Sequence, residues 1–261
     1  MTVFGVILLV VAAVLVFVHV RARKKVGALL TASAQTVSQM LGTAKTLAGE
    51  LGAGSFSEMV EVSGQVRCPG PLISPLGERP CVYYDMSVRR QYEEDTEERD
   101  AQGNVRRATR RGSETMSSQS ERVDFELADQ TGAIAVRLEG ADFDGLTETV
   151  ERFEPAGGAL QLQLGRFAMS VPTLGHGRRT LGYQYSERVL PAEGRLTVIG
   201  QASDQGGEMT VGRGGPAFIV TPRTKAELVG GAQRTVKWTA VASGLLALAG
   251  VGLTVAGLIA S

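Results

Sequence analysis

Two apolar runs bracket the chain. Val3–Val20 opens it, and Trp238–Ser261 closes it without a charged residue. A run of about 20 apolar residues is long enough to cross a bilayer as a helix. Arg21, Arg23, Lys24 and Lys25 follow the first run, and Arg234 and Lys237 stand just before the second. Basic residues stay on the cytoplasmic side of a membrane. The pattern therefore predicts an integral membrane protein with two spans, its central domain cytoplasmic and both termini outside. No basic residue precedes Val3 and no small-x-small cleavage site follows Val20, so the first run reads as a signal anchor, not a cleaved signal. His19 reads as an interfacial anchor. In the second run Ala240, Ser243, Ala247, Gly250, Thr254 and Gly257 recur every three or four residues. That small-residue stripe is a candidate helix-packing seam, toward the first span or toward a second copy.

The intervening pattern divides the chain into an anchor with its basic flank (1–25), an amphipathic helix (26–52), a β-domain (53–230) and the C-terminal helix (234–261). The helix presents Leu30, Ala34, Val37, Leu41, Ala44, Ala48 and Leu51 on one face, and Gly52–Ser55 breaks it. Strand alternation then takes over at Val60, Val62, Gly64 and Val66, and again from Cys81 through Val88. Ser74–Gly77 makes a turn between them. Val123, Phe125 and Leu127 alternate, as do Ile134, Val136 and Leu138, which predicts a hairpin whose turn runs from Asp129 to Gly132. Here Asp129 reads as a turn-capping carboxylate and Gly132 as the residue with positive φ. Residues 140–158 read as loop and edge, with room for a helix over Leu146–Phe153. Leu160–Leu164, Gly182–Pro191, Arg195–Gly200, Glu208–Val211 and Phe218–Thr221 complete the strands. The fold class is a mainly β central domain, an antiparallel and OB-like barrel with a long charged hairpin, flanked by two transmembrane helices and one amphipathic helix.

Charge enters at one place. Glu93, Glu94, Asp95, Glu97, Glu98 and Asp100 precede Arg106, Arg107, Arg110 and Arg111. A reversal at Gln102–Gly103 sets Glu98 opposite Arg107, Asp95 opposite Arg110 and Glu94 opposite Arg111. Such pairs support a hairpin, each by a few tenths of a kcal/mol. The segment is either an exposed β-arm or a disordered charged loop, and Gly112–Ser120 beyond it reads as mobile.

Composition removes several functions. Lys and Arg total 27, as do Asp and Glu, and aromatics are 5%. Neither a global positive field nor a stacking platform for nucleic acid is present, so no nucleic-acid partner is expected. Two cysteines and two histidines, scattered at His19, Cys68, Cys81 and His176, are too few for a four-ligand zinc site unless all four converge, and no metal or cofactor is expected. There is no Gly-rich phosphate loop, Gly-x-Ser-x-Gly or His-Glu-x-x-His. His176, between Gly175 and Gly177, reads as a loop histidine without a catalytic partner nearby in sequence.

Several segments together resemble the GIDE domain, also called BAM. They are Val62-x-Gly64, Pro71-Leu-x-Ser74-Pro75, Cys81-Val-Tyr-Tyr84, Phe125-x-Leu-x-Asp129-x-Thr-Gly132, Gly182-Tyr-x-Tyr185-Ser-Glu187, Leu190-Pro191 and Leu196-x-Val-x-Gly200. The resemblance runs over roughly residues 56 to 222. It implies the span–domain–span layout of mitochondrial membrane-anchored ubiquitin ligases, in which a RING finger holding two zinc ions carries the activity. No RING follows Ser261, so the expectation is a prokaryotic-type member without one. The chain is then a membrane-anchored binding or scaffold module with no catalytic centre of its own. The alternatives are an E3 ubiquitin-transferase component in protein ubiquitination and organelle organisation, or an envelope protein sensing lipid or a small ligand. Expected partners are membrane lipid and a protein, or a second copy through the last helix.

Overall fold

The structure is a computed structural model that describes residues 2–99, 105–157, 161–170 and 178–259. Its elements run α1 (Thr2–Thr31), β1 (Ser33–Ala34), α2 (Val37–Leu51), β2 (Ser57–Arg67), β3 (Leu72–Ile73), β4 (Pro80–Arg99), β5 (Val105–Arg122), β6 (Phe125–Ala128), β7 (Ala133–Val136), β8 (Asp142–Phe143) and β9 (Thr147–Pro155). They continue with β10 (Gln161–Leu164), β11 (Phe167–Ser170), β12 (Arg178–Pro191), β13 (Arg195–Ser203), β14 (Thr210–Gly212), β15 (Ile219–Thr221) and α3 (Lys225–Ile259). The chain forms two units. The first is 1–64, 128–144 and 196–261; the second is 65–127 and 145–195. The division falls within strands, notably β2 and β6.

The first unit is built on a closed five-stranded barrel. Its strand order is β2–β6–β7–β14–β13, and β13 pairs with β2 to close the ring. Val60, Val62, Ile134, Val136, Val198 and Val211 are buried, as alternation on a barrel wall requires. The sheet is mixed, not purely antiparallel: β1 runs parallel to β2, β14 to β7 and β15 to β8. Parallel neighbours need long crossovers, and residues 145–195 make such a connection in the chain. Gly64 sits where a Cβ would meet the Ala128 carbonyl oxygen at 2.4 Å, so β2 and β6 approach closer than any other residue permits.

The helix expected over 26–52 is two elements. α1 continues through the basic flank to Thr31; α2 starts only at Val37. The break is chemical. Thr36 caps α2 by accepting from the Gln39 amide, and the Gln39 side chain accepts from the Thr36 amide at 2.9 Å. This is a capping box of the form Thr-x-x-Gln. The buried face is Val37, Met40 and Ala44, whereas Leu41 and Leu51, placed on the apolar face by sequence, are exposed.

α1 and α3 pack against each other, antiparallel, because His19 meets Val236 and Thr239 while Ala32 meets Lys225. His19 Nδ1 lies 3.1 Å from both the Val236 carbonyl and Thr239 Oγ1. A carbonyl only accepts, so Nδ1 carries the proton; His19 clasps the two helices. Where the pair reaches the barrel, Leu29, Ala32 and Leu228 pack on Ile199 and Ile219. Lys225 Nζ donates to the Ala32 carbonyl at 2.6 Å and lies 3.3 Å from Glu61. Of the expected seam, Ser243 and Gly250 are buried, Ala247 and Thr254 half-buried, and Ala240 exposed; the Gly257 environment lies outside the description. Among the described residues one helix, over Lys225–Thr254, is long and apolar enough to cross a membrane; α1 is not counted with it.

The second unit is a five-stranded sheet, β3–β4–β12–β9, with β5 also on β4. The β10–β11 hairpin adds Leu162 and Phe167 to a core with Tyr84, Met86, Val88, Tyr183 and Tyr185. In the stretch read as loop and edge with room for a helix, Thr147–Pro155 is strand β9 at the edge of the sheet: Thr147, Thr149 and Val150 are β-branched and suit a pleated surface. The segment expected to be mobile, Gly112–Ser120, is strand β5, held along β4.

The charged hairpin forms with a register one residue from the expected one. Glu97 opposes Arg107, Glu94 opposes Arg110 and Glu93 opposes Arg111. The cause is a bulge. From Tyr83↔Arg122 to Val88↔Ser117 the pairing follows the expected register; Met116 is then the extra residue, and Arg89 meets Thr115. The reversal itself, with Gln102–Gly103, lies outside the described residues. Arg178 and Arg179 of β12 supply partners for the acidic strand, at 2.7 Å from Glu94 and 2.5 Å from Glu93. The Arg178 guanidinium also stacks 4.9 Å from the Tyr92 ring, which lies over Gly112.

Candidate functional site

On β12, Tyr183, Tyr185, Glu187 and Val189 share the inward face. Three are apolar or aromatic. The fourth is a carboxylate with no exposed surface. An ionised group there needs hydrogen bonds to offset its lost hydration. Glu187 accepts four. Oε1 receives Ser74 Oγ at 2.8 Å, the Gly77 amide at 3.0 Å and Thr149 Oγ1 at 2.6 Å; Oε2 receives the Leu76 amide at 2.6 Å. The carboxylate thus serves as the missing partner for the turn after β3.

That turn is fixed from several sides. Ser74 Oγ accepts from the Arg79 amide at 3.0 Å, and the Glu78 amide donates to the Ser74 carbonyl at 3.1 Å. Gly77 has no room for a Cβ, which would stand 2.8 Å from Glu187 Oε1. The β10–β11 turn covers the outer side: Gly165, at φ +57, lies against the Pro75 and Leu76 carbonyls, and the Arg166 amide donates to Pro75 O at 2.8 Å. Cys81 is buried beside it. Burial, with the Glu187 charge second, pushes its thiol up to about 11. A thiol so far from ionising is a poor nucleophile at neutral pH. Burial likewise raises the phenols of Tyr84 and Tyr185 to about 12, the nearby Glu121 and Glu154 carboxylates adding to it.

A cleft of about 400 Å³ adjoins this turn, lined by Arg79, Pro80, Thr147, Glu148, Thr149, Val189, Pro191 and Glu193. Thr149 belongs to both: its residue lines the cleft and its hydroxyl bonds Glu187. Pro80, Val189 and Pro191 offer apolar surface, Arg79 a cation, and Glu148 and Glu193 anions. Its volume falls within the roughly 300–1,000 Å³ of ligand clefts. Among the described residues no three His, Cys, Asp or Glu side chains converge as metal ligands would.

The structure gathers many of the residues singled out by sequence. Ser74, Pro75, Cys81, Tyr84, Tyr185 and Glu187 meet around the turn, and Pro191 lines the cleft. Gly182 serves the same sheet, since a Cβ would stand 2.4 Å from the Glu154 carbonyl oxygen. Pro71 leads into β3. Asp129, Gly132 and Gly200 belong to the barrel instead. Asp129 Oδ1 accepts from the Thr131 amide and hydroxyl, both at 2.7 Å, and the Gly132 amide at 3.0 Å; Oδ2 accepts the first amide of α2, Val37, at 2.9 Å. Burial acts to raise its pKa, but these bonds outweigh it and hold the carboxyl below 3.8. Gly132 is not at positive φ; glycine is needed there because a Cβ would press the Val37 side chain at 3.0 Å. Gly200 makes room for Phe218 and the Gly212 carbonyl. His176 lies outside the described residues.

Sequence reasoning missed Thr147, Glu148, Thr149, Arg79, Val189 and Glu193. The β-branched Thr-x-Thr-Val of β9 was the available signal for the first three.

A family model, GIDE, described as E3 ubiquitin ligase, matches residues 93–256. The match begins within β4, so it leaves out the Pro71–Tyr84 segments and takes in α3. No curated protein and no solved structure matches. Since the matched residues are more than half of the 261, this chain belongs to the GIDE family.

Proposed function

We propose that the chain is a membrane-held binding or scaffold module that captures a protein segment in the cleft beside Glu187. The observation carrying this reading is the cleft itself. A turn held by a buried carboxylate presents apolar and oppositely charged groups side by side, and Cys81 beside that turn is buried with its thiol raised. Such a surface suits an extended segment with an apolar residue among charges. The 261 residues hold two cysteines and two histidines, too few for the two zinc ions of a RING. Membership of the GIDE family supports a role beside ubiquitin transfer, with this chain contributing recognition. The prokaryotic-type form remains part of the proposal.

The reading includes two spans, α1 and α3, a cytoplasmic domain and outer termini. Arg21, Arg23, Lys24, Lys25, Arg234 and Lys237 support that orientation. Exposed Val10, Val14 and Phe17 on α1, and Val241, Leu245 and Val251 on α3, suit lipid contact. Self-association through the exposed small residues of α3, such as Ala240, belongs to the same proposal.

The test is site-specific photocrosslinking in cells. A benzophenone side chain at Thr147, in the cleft, is expected to yield discrete protein adducts, lost on adding Arg79→Glu; the same probe at exposed Gln119 on β5 is expected to yield none. Equal adduct patterns at the two positions would refute a cleft-specific partner.

A further inference from the structure

A second cavity lies between α1 and α3, away from the cleft. It measures about 170 Å³ and is lined by Arg23 and Val26 of α1 and by Gln233, Val236 and Lys237 of α3. We propose that it binds the phosphate headgroup of an anionic phospholipid. This rests on the reading that both helices enter a bilayer.

Four observations converge. The lining carries two cations and an amide, and none of the five residues is acidic. Arg23 and Lys237 stand on facing helices at the rim of a largely apolar cavity, where a phosphodiester would supply both charge and acceptor oxygens to them. The position is the second point. The apolar run of α1 ends at Val20, just before Arg21, and that of α3 starts at Trp238, just after Lys237. The cavity therefore lies one turn from the level where both helices change from apolar to charged, which is headgroup depth. Trp238 marks the same level: it is 74% exposed, as an interfacial anchor would be. Third, the size is selective. The cavity is below the roughly 300–1,000 Å³ of pockets that enclose whole ligands, so it takes a headgroup while the acyl chains stay in the bilayer. Fourth, the walls are held. His19 Nδ1 donates to the Val236 carbonyl and lies 3.1 Å from Thr239 Oγ1, tying the helices together beside the cavity. Basic cavities between helices on the cytoplasmic side are a recurring form of headgroup site.

The test uses the full chain in detergent micelles supplied with phosphatidylcholine or phosphatidylglycerol, with retained lipid counted by native mass spectrometry. Wild type is expected to retain phosphatidylglycerol and release phosphatidylcholine. Arg23→Gln with Lys237→Gln is expected to lower phosphatidylglycerol affinity about thirty-fold, at about a factor of five per cation. Arg21→Gln with Arg234→Gln removes the same charge from exposed residues that do not line the cavity, and is expected to leave retention unchanged. Equal retention of both lipids, or equal loss in both double variants, would overturn the site. Displacement of the lipid by millimolar inorganic phosphate would reassign it to a free anion and overturn the lipid assignment. Carbonate extraction of membranes separates the two readings: a chain released by carbonate fails as a membrane protein, whereas a retained chain with no lipid preference fails only at this cavity.

Discussion

Glu187 occupies a position where strand alternation calls for an apolar side chain, and its burial is tolerable only because four donors converge on it. Removing the carboxylate strands those donors in a buried place. Glu187→Ala is therefore expected to destabilise the folded chain by about 3 kcal/mol or more, since each orphaned buried group costs about 1–3 kcal/mol. Thr149→Val, which removes one hydroxyl donor, is expected to cost about 1 kcal/mol. Urea unfolding followed by tyrosine fluorescence checks both; a Glu187→Ala chain as stable as wild type would mean the turn is held some other way. Asp129 gives a pH signature. Its folded pKa lies below its unfolded value, so its contribution is complete above pH 3.8 and is lost as pH falls through the folded value. Thermal unfolding against pH should show wild type losing part of its advantage over Asp129→Asn below that point; parallel curves would remove the carboxylate from the account. At this scale the sequence was readable where a residue acts locally. Asp129 stands two and three residues from the groups it caps in its own turn. Glu187 and Ser74 are 113 positions apart, and nothing local links them.

Elements were readable where their period was undisturbed. The strands around Val60, Phe125, Ile134 and Val198 announce themselves by alternation, and the barrel uses them. Periodicity failed at junctions. Ala32–Thr36 carries no helix breaker, so one long helix was the natural reading; the capping box at Thr36 and Gln39 was the signal against it. A single extra residue, Met116, displaced the pairing of the charged hairpin, and nothing in its composition marks a bulge. Gly64 provides the element-scale test. With an Ala128 backbone oxygen 2.4 Å from its virtual Cβ, Gly64→Ala can be accommodated only by parting β2 from β6. It is expected to cost about 2 kcal/mol or more. Gly70→Ala, which meets nothing within 4 Å, is expected to stay within about 0.5 kcal/mol. Equal denaturation midpoints for the two variants would contradict the close approach.

On the scale of the whole chain, the second unit is built from two insertions, one between β2 and β6 and one between β8 and β13. A linear reading sees one run of strands, because neither insertion is flagged by a linker or a change of composition. The bracketing apolar runs were visible at once, since helix length and hydrophobicity are local quantities; the helix pair they form joins residues as distant as His19 and Thr239, 220 positions apart. GIDE is described as an E3 ubiquitin ligase, and the described residues add a cleft and a buried thiol. The proposed function is that this chain recognises and does not transfer. The most direct test is discharge of ubiquitin from a charged E2 thioester to free lysine, with the 261-residue chain reconstituted in lipid nanodiscs. The account predicts a discharge rate equal to that of the E2 with empty nanodiscs. A rate that rises with the concentration of the chain would contradict it.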